Sequence, residues 1–206
     1  VAIATGMDVG WSRADNGYAC YPPGTTVLAG PPGAEACAIV CDGIGGQDGG
    51  EVASELAITV LREKLQQMPL HQANWDPLSL TSKLERAACA ANDKIAGRND
   101  SEHRQGRQRM GTTLVMALAH IHELYVAHVG DSRAYWITRT GCYQVTLDDD
   151  VACREVRLGY ALYRDALEQV AAGALIQALG ITSSNTLHPT VQRFSVDEDC
   201  VLLLCS

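Results

Sequence analysis

The residues best suited to chemistry lie where an apolar run, Ala36 to Cys41, ends on a carboxylate, Asp42, and five glycines follow within eight residues, Gly43 to Gly50. Glycine admits backbone conformations that other residues avoid. Such a turn can therefore present the Asp42 carboxylate together with a main-chain carbonyl. Oxygen donors of this kind suit a hard divalent cation such as Mg²⁺ or Mn²⁺. Taken alone, the stretch suits an ordinary strand-to-helix turn with a capping aspartate equally well.

Two elements must hold this turn. The short apolar run before it reads as a buried strand. After it, Val52, Leu56, Val60, Leu61 and Leu65 recur on one helical face, and Asp48 with Glu51 has capping-box spacing, so a helix is expected from about Gly49 to Gln67. Asp76-Pro77 starts a second helix, with proline at its first position. That helix carries Leu80, Leu84, Ala87, Ala88, Ala91 and Ile95 and is expected to stop at Gly97. Arg98 to Arg109 is charged, without an apolar period, and reads as a mobile surface loop.

Further on, Met110–Ala119, Leu124–Val129, Ala134–Thr138 and Cys142–Thr146 read as successive strands of an antiparallel meander. Asp148 to Gly159 reads as polar and irregular, Asp165 to Leu179 as helix, and Val191–Ser195 and Cys200–Cys205 as two last strands. Val1–Val9 and Thr25–Leu28 are weaker strand candidates. Strands apolar on both faces need cover on both sides. The expected class is α+β: a central antiparallel β-sandwich flanked by helices on both faces.

Composition narrows the function classes. The chain has 206 residues, enough for one domain with a substantial core, and a formal net charge of −8. That charge argues against nucleic acid or an anionic membrane surface as partner. No apolar run is long enough to span a bilayer, and the first ten residues lack the pattern of a secretory leader. The eight cysteines form no C-x-x-C pair, so reduced thiols and a cytoplasmic, monomeric protein are expected rather than a zinc site.

Three separate stretches resemble one family. Asp8-Val9-Gly10-Trp11-Ser12-Arg13-Ala14-Asp15-Asn16 resembles its D-x-G-x-x-R-x-x-N motif. Val40 to Ser54 resembles D-G-x-G-G followed by G-E-x-A-S. Gly111-Thr112-Thr113, with Val129-Gly130-Asp131-Ser132-Arg133-Ala134-Tyr135, resembles G-T-T and V-G-D-S-R-A-Y. The family is the metal-dependent serine/threonine protein phosphatases of type 2C, in their bacterial style. The resemblance implies hydrolysis of phosphoserine and phosphothreonine on protein substrates by a water activated at two Mg²⁺ or Mn²⁺ ions, with a third ion in some members. It implies that Asp42 bridges two cations, that Gly43 lends its carbonyl to one, that Arg13 binds the substrate phosphate, and that Asp131 helps hold an additional, weaker cation. Read from the residues alone, Asp131 also suits a turn carboxylate that caps a backbone N–H or pairs with Arg133. Thr112 and Thr113 read as structural, and His120, His122 and His128 as strand or turn residues.

Departures from the family pattern matter as well. Gly17 and Tyr18 follow Asn16 where the family has an acidic pair. Asp148-Asp149-Asp150 stands where the family has a D-H segment, and reads as a solvated turn. Ile44 occupies a position where some members carry histidine. The chain ends at Leu204-Cys205-Ser206, whereas the family pattern continues with Asp-Gly and a later Asp, both acids being cation ligands. The expectation is a single phosphatase-like domain over residues 1–206 that lacks the C-terminal part of the family domain. It should fold, hydrolyse poorly, and leave its last strand as an open edge. The alternative is a pseudophosphatase that keeps the fold as a binding or regulatory module.

Overall fold

The computed structural model describes residues 2–5, 18–23, 26–29, 35–44, 49–68 and 76–206. Arg13, Asp8, Asp48 and the turn Gly45–Gly46 lie outside these residues.

The organising strand is β4, Ala36–Ile44, numbered after β1 (Ala2–Thr5), β2 (Tyr18–Tyr21) and β3 (Thr26–Ala29). β1 and β3 pair antiparallel with each other. β4 lies between β2 and β6 (Leu114–His120), antiparallel to both, and its last two residues pair with β5 (Gly111–Thr112). The sheet continues from β6 through β7 (Glu123–Val129) to β10 (Thr190–Ser195). A second sheet orders β11 (Val201–Cys205), β8 (Arg133–Ile137) and β9 (Cys142–Gln144), so β11 does lie at a sheet edge.

Period-two alternation in β6 and β7 sends side chains to two different cores. Met116, Leu118, Tyr125 and Ala127 face the helices α1 (Gly49–Gln66) and α2 (Pro77–Ser101). Val115, Ala117, Leu124 and Val126 face the second sheet, where Ala134, Trp136, Leu202, Leu204 and Phe194 meet them. Trp136 and Phe194 pack with ring centroids 5.7 Å apart. The expected β-sandwich is present, with α1 and α2 on the outer face of the larger sheet. On the outer face of the smaller sheet Val201 and Leu203 are exposed.

The first helix has the expected span, but its buried stripe is rotated. Ala53, Ala57, Leu61 and Leu65, with Ser54 and Ile58, are buried, whereas Val52, Leu56 and Val60 sit at the margin. Small residues face the sheet because α1 packs close to β4. The second helix begins as expected: Asp76 caps it by accepting from Ser79 N at 3.1 Å, and all six anticipated apolar residues are buried.

α2 does not stop at Gly97. It runs on to Ser101 because Asn99 is buried and tied to the next segment, accepting from Met110 N at 3.0 Å and donating to Met110 O at 2.8 Å and Gly180 O at 3.1 Å. These bonds outweigh the roughly 1 kcal/mol that glycine costs inside a helix. The supposed loop Arg98–Arg109 is accordingly the end of α2, a 3₁₀ turn at Gly106–Gln108, and ion pairs of Arg98 and Arg104 with Glu102 and of Arg109 with Asp100.

Two later expectations fail for a shared reason. Asp148–Gly159 is not irregular: Asp150 accepts from Cys153 N at 2.7 Å and caps α3 (Val151–Arg157). Asp165–Leu179 is not one helix: α4 covers only Tyr163–Leu167. Beyond it the backbone pairs with the segment around α3, through Val151 N to Ala174 O, Ala152 N to Ala172 O and Ile176 N to Asp149 O. Those bonds compete with helix continuation, and Gly173 lowers its propensity there.

No disulfide joins any two of the eight cysteines. Burial pushes the Cys37 thiol up to about 12, which keeps it protonated and unreactive. No helix among the described residues is long and apolar enough to cross a membrane.

Candidate active site

Asp42 occupies the end of β4, where the strand leaves β6 and pairs with β2 on one side and β5 on the other. Tyr18 is its register partner, and Gly43 is opposite Thr112. Its backbone is held by the G-T-T motif. Asp42 N donates to Thr113 Oγ1 at 3.0 Å, while Asp42 O accepts from Thr113 N at 2.9 Å and from Thr112 Oγ1 at 3.0 Å. The carboxylate accepts from Ser206 Oγ at 2.7 Å, so the end of β11 lies against the same acid.

Thr113 also ties Asp42 to the loop that carries Asp131. Its hydroxyl shares a 2.6 Å hydrogen bond with Ser132 Oγ, and both residues are buried. Gly130 has φ +96, a region that side chains rarely adopt. A Cβ there would also lie 2.9 Å from Thr113 Cγ2, so glycine is required for the close approach of the two motifs. The reading of Thr112 and Thr113 as structural holds, with a sharper meaning: they fix two acids relative to each other. Replacing Thr113 by Val should lower stability by about 1–3 kcal/mol, because the Asp42 N–H and the buried Ser132 hydroxyl each lose a partner. Thr113→Ser should retain most of it. Denaturant midpoints of the two variants check this, and equal midpoints would refute it.

Asp131 is exposed as a residue, yet it has lost part of its hydration. Burial first, and then the negative charges of Asp148, Asp42 and Asp150, push its carboxyl above the usual carboxylate range. Four acids thus share one electrostatic neighbourhood. The pairing of Asp131 with Arg133 is not formed. Arg133 instead donates from Nε to both oxygens of Asp148 at 3.0 Å and from Nη2 to Oδ2 at 2.6 Å. This bidentate contact raises the Arg133 pKa further.

Asp148-Asp149-Asp150 is not a solvated turn. Asp148 and Asp149 are 4% and 3% exposed. They are buried because each is paired: Asp148 also accepts from Gln144, and Asp149 accepts from Gly130 N at 3.0 Å and Gln177 Nε2 at 2.7 Å. Asp148, Asp150 and Cys153 bring ligand-type atoms within 4.8 Å of one another, but the helix cap and the Arg133 fork already engage the two acids. Sequence reasoning missed this support of the Gly130–Arg133 loop. The run of three acids before an apolar-spaced segment signals only the start of α3. His120 is a strand residue as expected, its Nδ1 3.1 Å from Glu35 Oε1. His128 is a strand residue as expected, bonding Leu147 O through Nε2 at 2.8 Å.

The donor set fits Mg²⁺ or Mn²⁺. It consists of carboxylate and carbonyl oxygens, and the raised Asp131 pKa marks a negative field that a divalent cation would relieve.

A family model for protein phosphatase 2C matches residues 26–159. The chain belongs to the protein phosphatase 2C family. It is 30% identical over 168 residues to a serine/threonine phosphatase of Listeria monocytogenes, a match covering 82% of this chain and 64% of that protein. It is 30% identical over 204 residues to the serine/threonine protein phosphatase PstP of Mycobacterium tuberculosis, covering 98% of this chain and 35% of that one. The chain therefore spans under two thirds of the length of these relatives. The crystal structure of the Mycobacterium tuberculosis phosphatase superposes with a TM-score of 0.75 at 29% identity, covering all of this chain and 77% of that one. A structure of the PstP catalytic domain in complex with two manganese ions gives a TM-score of 0.71, also at 29% identity. These relatives carry the names of phosphatases and lend no support to the pseudophosphatase alternative.

Proposed function

We propose that this chain is the larger part of a metal-dependent phosphatase domain that hydrolyses phosphoserine and phosphothreonine on proteins, acting as a cytoplasmic monomer without nucleic acid or membrane partners. The observation that supports this reading is the end of β4, where Thr113 bonds both Asp42 N and Ser132 Oγ and so holds Asp42, with Gly43 next in the strand, against the loop of Asp131. Asp42 and Gly43 would hold Mg²⁺ or Mn²⁺, with Asp131 on an additional, weaker ion. Bound there, two divalent cations supply a water of lowered pKa and neutralise phosphoryl charge.

The chain's own residues do the rest. Arg13 binds the substrate phosphate, for which a planar fork of donors is suited. Thr113 and Ser132 keep the Asp42 and Asp131 segments in register. The Arg133–Asp148 pair fixes the far side of the Asp131 loop.

The test is release of phosphate from a phosphothreonine peptide with saturating Mn²⁺, by residues 1–206 and by a chain extended past Ser206. The extended chain should turn over faster, because a two-cation centre needs several carboxylates and the family pattern places two more after this point. Arg13→Ala in the extended chain should raise KM about tenfold or more with a smaller change in kcat. No Mn²⁺-dependent release from either chain would sink the proposal, and equal turnover from both would show that the added acids are dispensable.

A further inference from the structure

Gly130 is bonded through both its main-chain groups to one residue of the acid run. Asp149 N donates to Gly130 O at 2.9 Å, and Gly130 N donates to Asp149 Oδ2 at 3.0 Å. Gly130 directly precedes Asp131, and at φ +96 it takes a conformation that glycine adopts readily and other residues do not. Glycine also has the most conformational freedom to lose on ordering. The two bonds remove that freedom, so Asp149 sets the direction in which the chain leaves toward Asp131.

Asp149 is fixed in turn from its other side. Its carbonyl accepts from Ile176 N at 2.8 Å, and its Oδ2 accepts from Gln177 Nε2 at 2.7 Å. The Gln177 amide is itself held at both ends, donating to His188 O at 3.1 Å and accepting from His188 N at 3.1 Å. Two residues on, Leu179 exchanges a pair of main-chain bonds with Thr112, whose hydroxyl holds Asp42 O. One segment, residues 176–179, thus anchors both the holder of Asp42 and the holder of Asp131. Burying a carboxylate is unfavourable unless its oxygens are engaged. Here Oδ2 is engaged by Gly130 and Gln177, and Oδ1 lies 3.9 Å from Arg157 Nη2. An apolar residue of similar size would fill the space but could not accept from Gly130 N. The family's D-H segment has histidine where Asp149 stands, so this carboxylate is a departure of the chain from that pattern.

We propose that Asp149 is a positioning residue of the catalytic centre: through Gly130 it holds Asp131 in place for the weaker cation. This rests on the reading of Asp131 as a ligand of that cation. With its own oxygens engaged by Gly130, Gln177 and Arg157, Asp149 acts through the loop and not as a ligand.

Two measurements test this together: amide hydrogen exchange in the metal-free chain of 206 residues, and the Mn²⁺ concentration for half-maximal phosphate release in the chain extended past Ser206. In Asp149→Ala, exchange at Gly130 and Asp131 should quicken about tenfold or more, while exchange in β6 stays as in the parent. The half-maximal Mn²⁺ concentration should rise by a similar factor, with a smaller change in turnover at saturating Mn²⁺. Asp149→Asn, whose amide oxygen still accepts from Gly130 N, should bring both back to within about threefold of the parent. Gln177→Ala, at a half-buried position, leaves the carboxylate but frees it on one side. It should move both readouts the same way by less, and it decides the matter if Asp149→Ala does not fold. Leu118→Val, in the helix-facing core, is the control for lost stability. Unchanged exchange at Gly130 in the Asp149 and Gln177 variants, an unchanged Mn²⁺ requirement despite a loosened loop, or the same two changes in Leu118→Val would each overturn the proposal. No Mn²⁺-dependent release from the parent would overturn the phosphatase reading and the catalytic role of Asp149 with it, whereas exchange at Gly130 reports the hold on the loop by itself.

Discussion

Asparagine in place of Asp42 is expected to remove nearly all Mn²⁺-dependent hydrolysis while leaving the fold intact. The contacts that hold this residue in place are largely main-chain. Its N–H and C=O are engaged by Thr113 and Thr112, and these bonds do not depend on the side chain. The side-chain bond from Ser206 Oγ to Oδ2 can be kept by the amide oxygen. What the substitution removes is a negative charge at the centre of the acid group. Loss of an outer partner of a metal ligand typically costs about 10–100-fold. Loss of the proposed bridging ligand itself should therefore cost more than about a hundredfold in kcat/KM. The measurements are phosphate release against Mn²⁺ concentration, Mn²⁺ binding by calorimetry, and a thermal melt to show that the fold survives. Near-normal turnover in a folded Asp42→Asn protein would mean that no cation is held as proposed.

The elements around Asp42 could be read in the residues, because they are local: an apolar strand ends on the acid, and a helix follows close behind. The strands of the meander were equally legible, since alternation and turn residues mark them. What could not be read depends on contacts distant in sequence. Nothing near Gly97 announces that Asn99 will bond Met110 and Gly180 and so carry α2 onward. Nothing in Ala171–Ala174 reveals that their carbonyls will be taken by Val151 and Ala152, which stops a plausible helix. Burial of Asp148 and Asp149 was invisible for the same reason. A run of three acids reads as solvated until Arg133, Gly130 and Gln177 are brought to it by the fold. Polar residues that are buried because they are paired are where single-sequence reasoning fails, and here they are also what positions Asp131.

Gly50→Ala should weaken cation binding without touching any acid. In an ordinary helix this change stabilises by up to about 1 kcal/mol, since alanine is the better helix former. Here an added Cβ would lie 2.8 Å from both the carbonyl carbon and the carbonyl oxygen of Gly43, and 3.2 Å from Ile44 N. These are main-chain atoms, which cannot rotate aside. α1 is anchored by Ala53, Ala57 and Leu61, each fully buried, so the helix cannot easily back away. β4 is held by β6 only as far as Val40, and beyond that point its pairing with β5 spans two residues. The strain should therefore fall on Gly43, turning or shifting the carbonyl proposed to face the cation. Overpacking of this kind costs about 1–3 kcal/mol, and a displacement near 1 Å at a catalytic site can cost about a hundredfold in rate. The expected result is lower stability, Mn²⁺ affinity reduced about tenfold or more, and slower phosphate release. Gly49→Ala is the matched control, since its Cβ would meet only side-chain atoms, Met110 Cβ at 3.3 Å and Arg104 Nη1 at 3.5 Å. Its Mn²⁺ affinity should stay close to that of the parent. If Gly50→Ala bound Mn²⁺ as tightly as Gly49→Ala does, the Gly43 carbonyl would not be a cation ligand, and the site would rest on carboxylates alone.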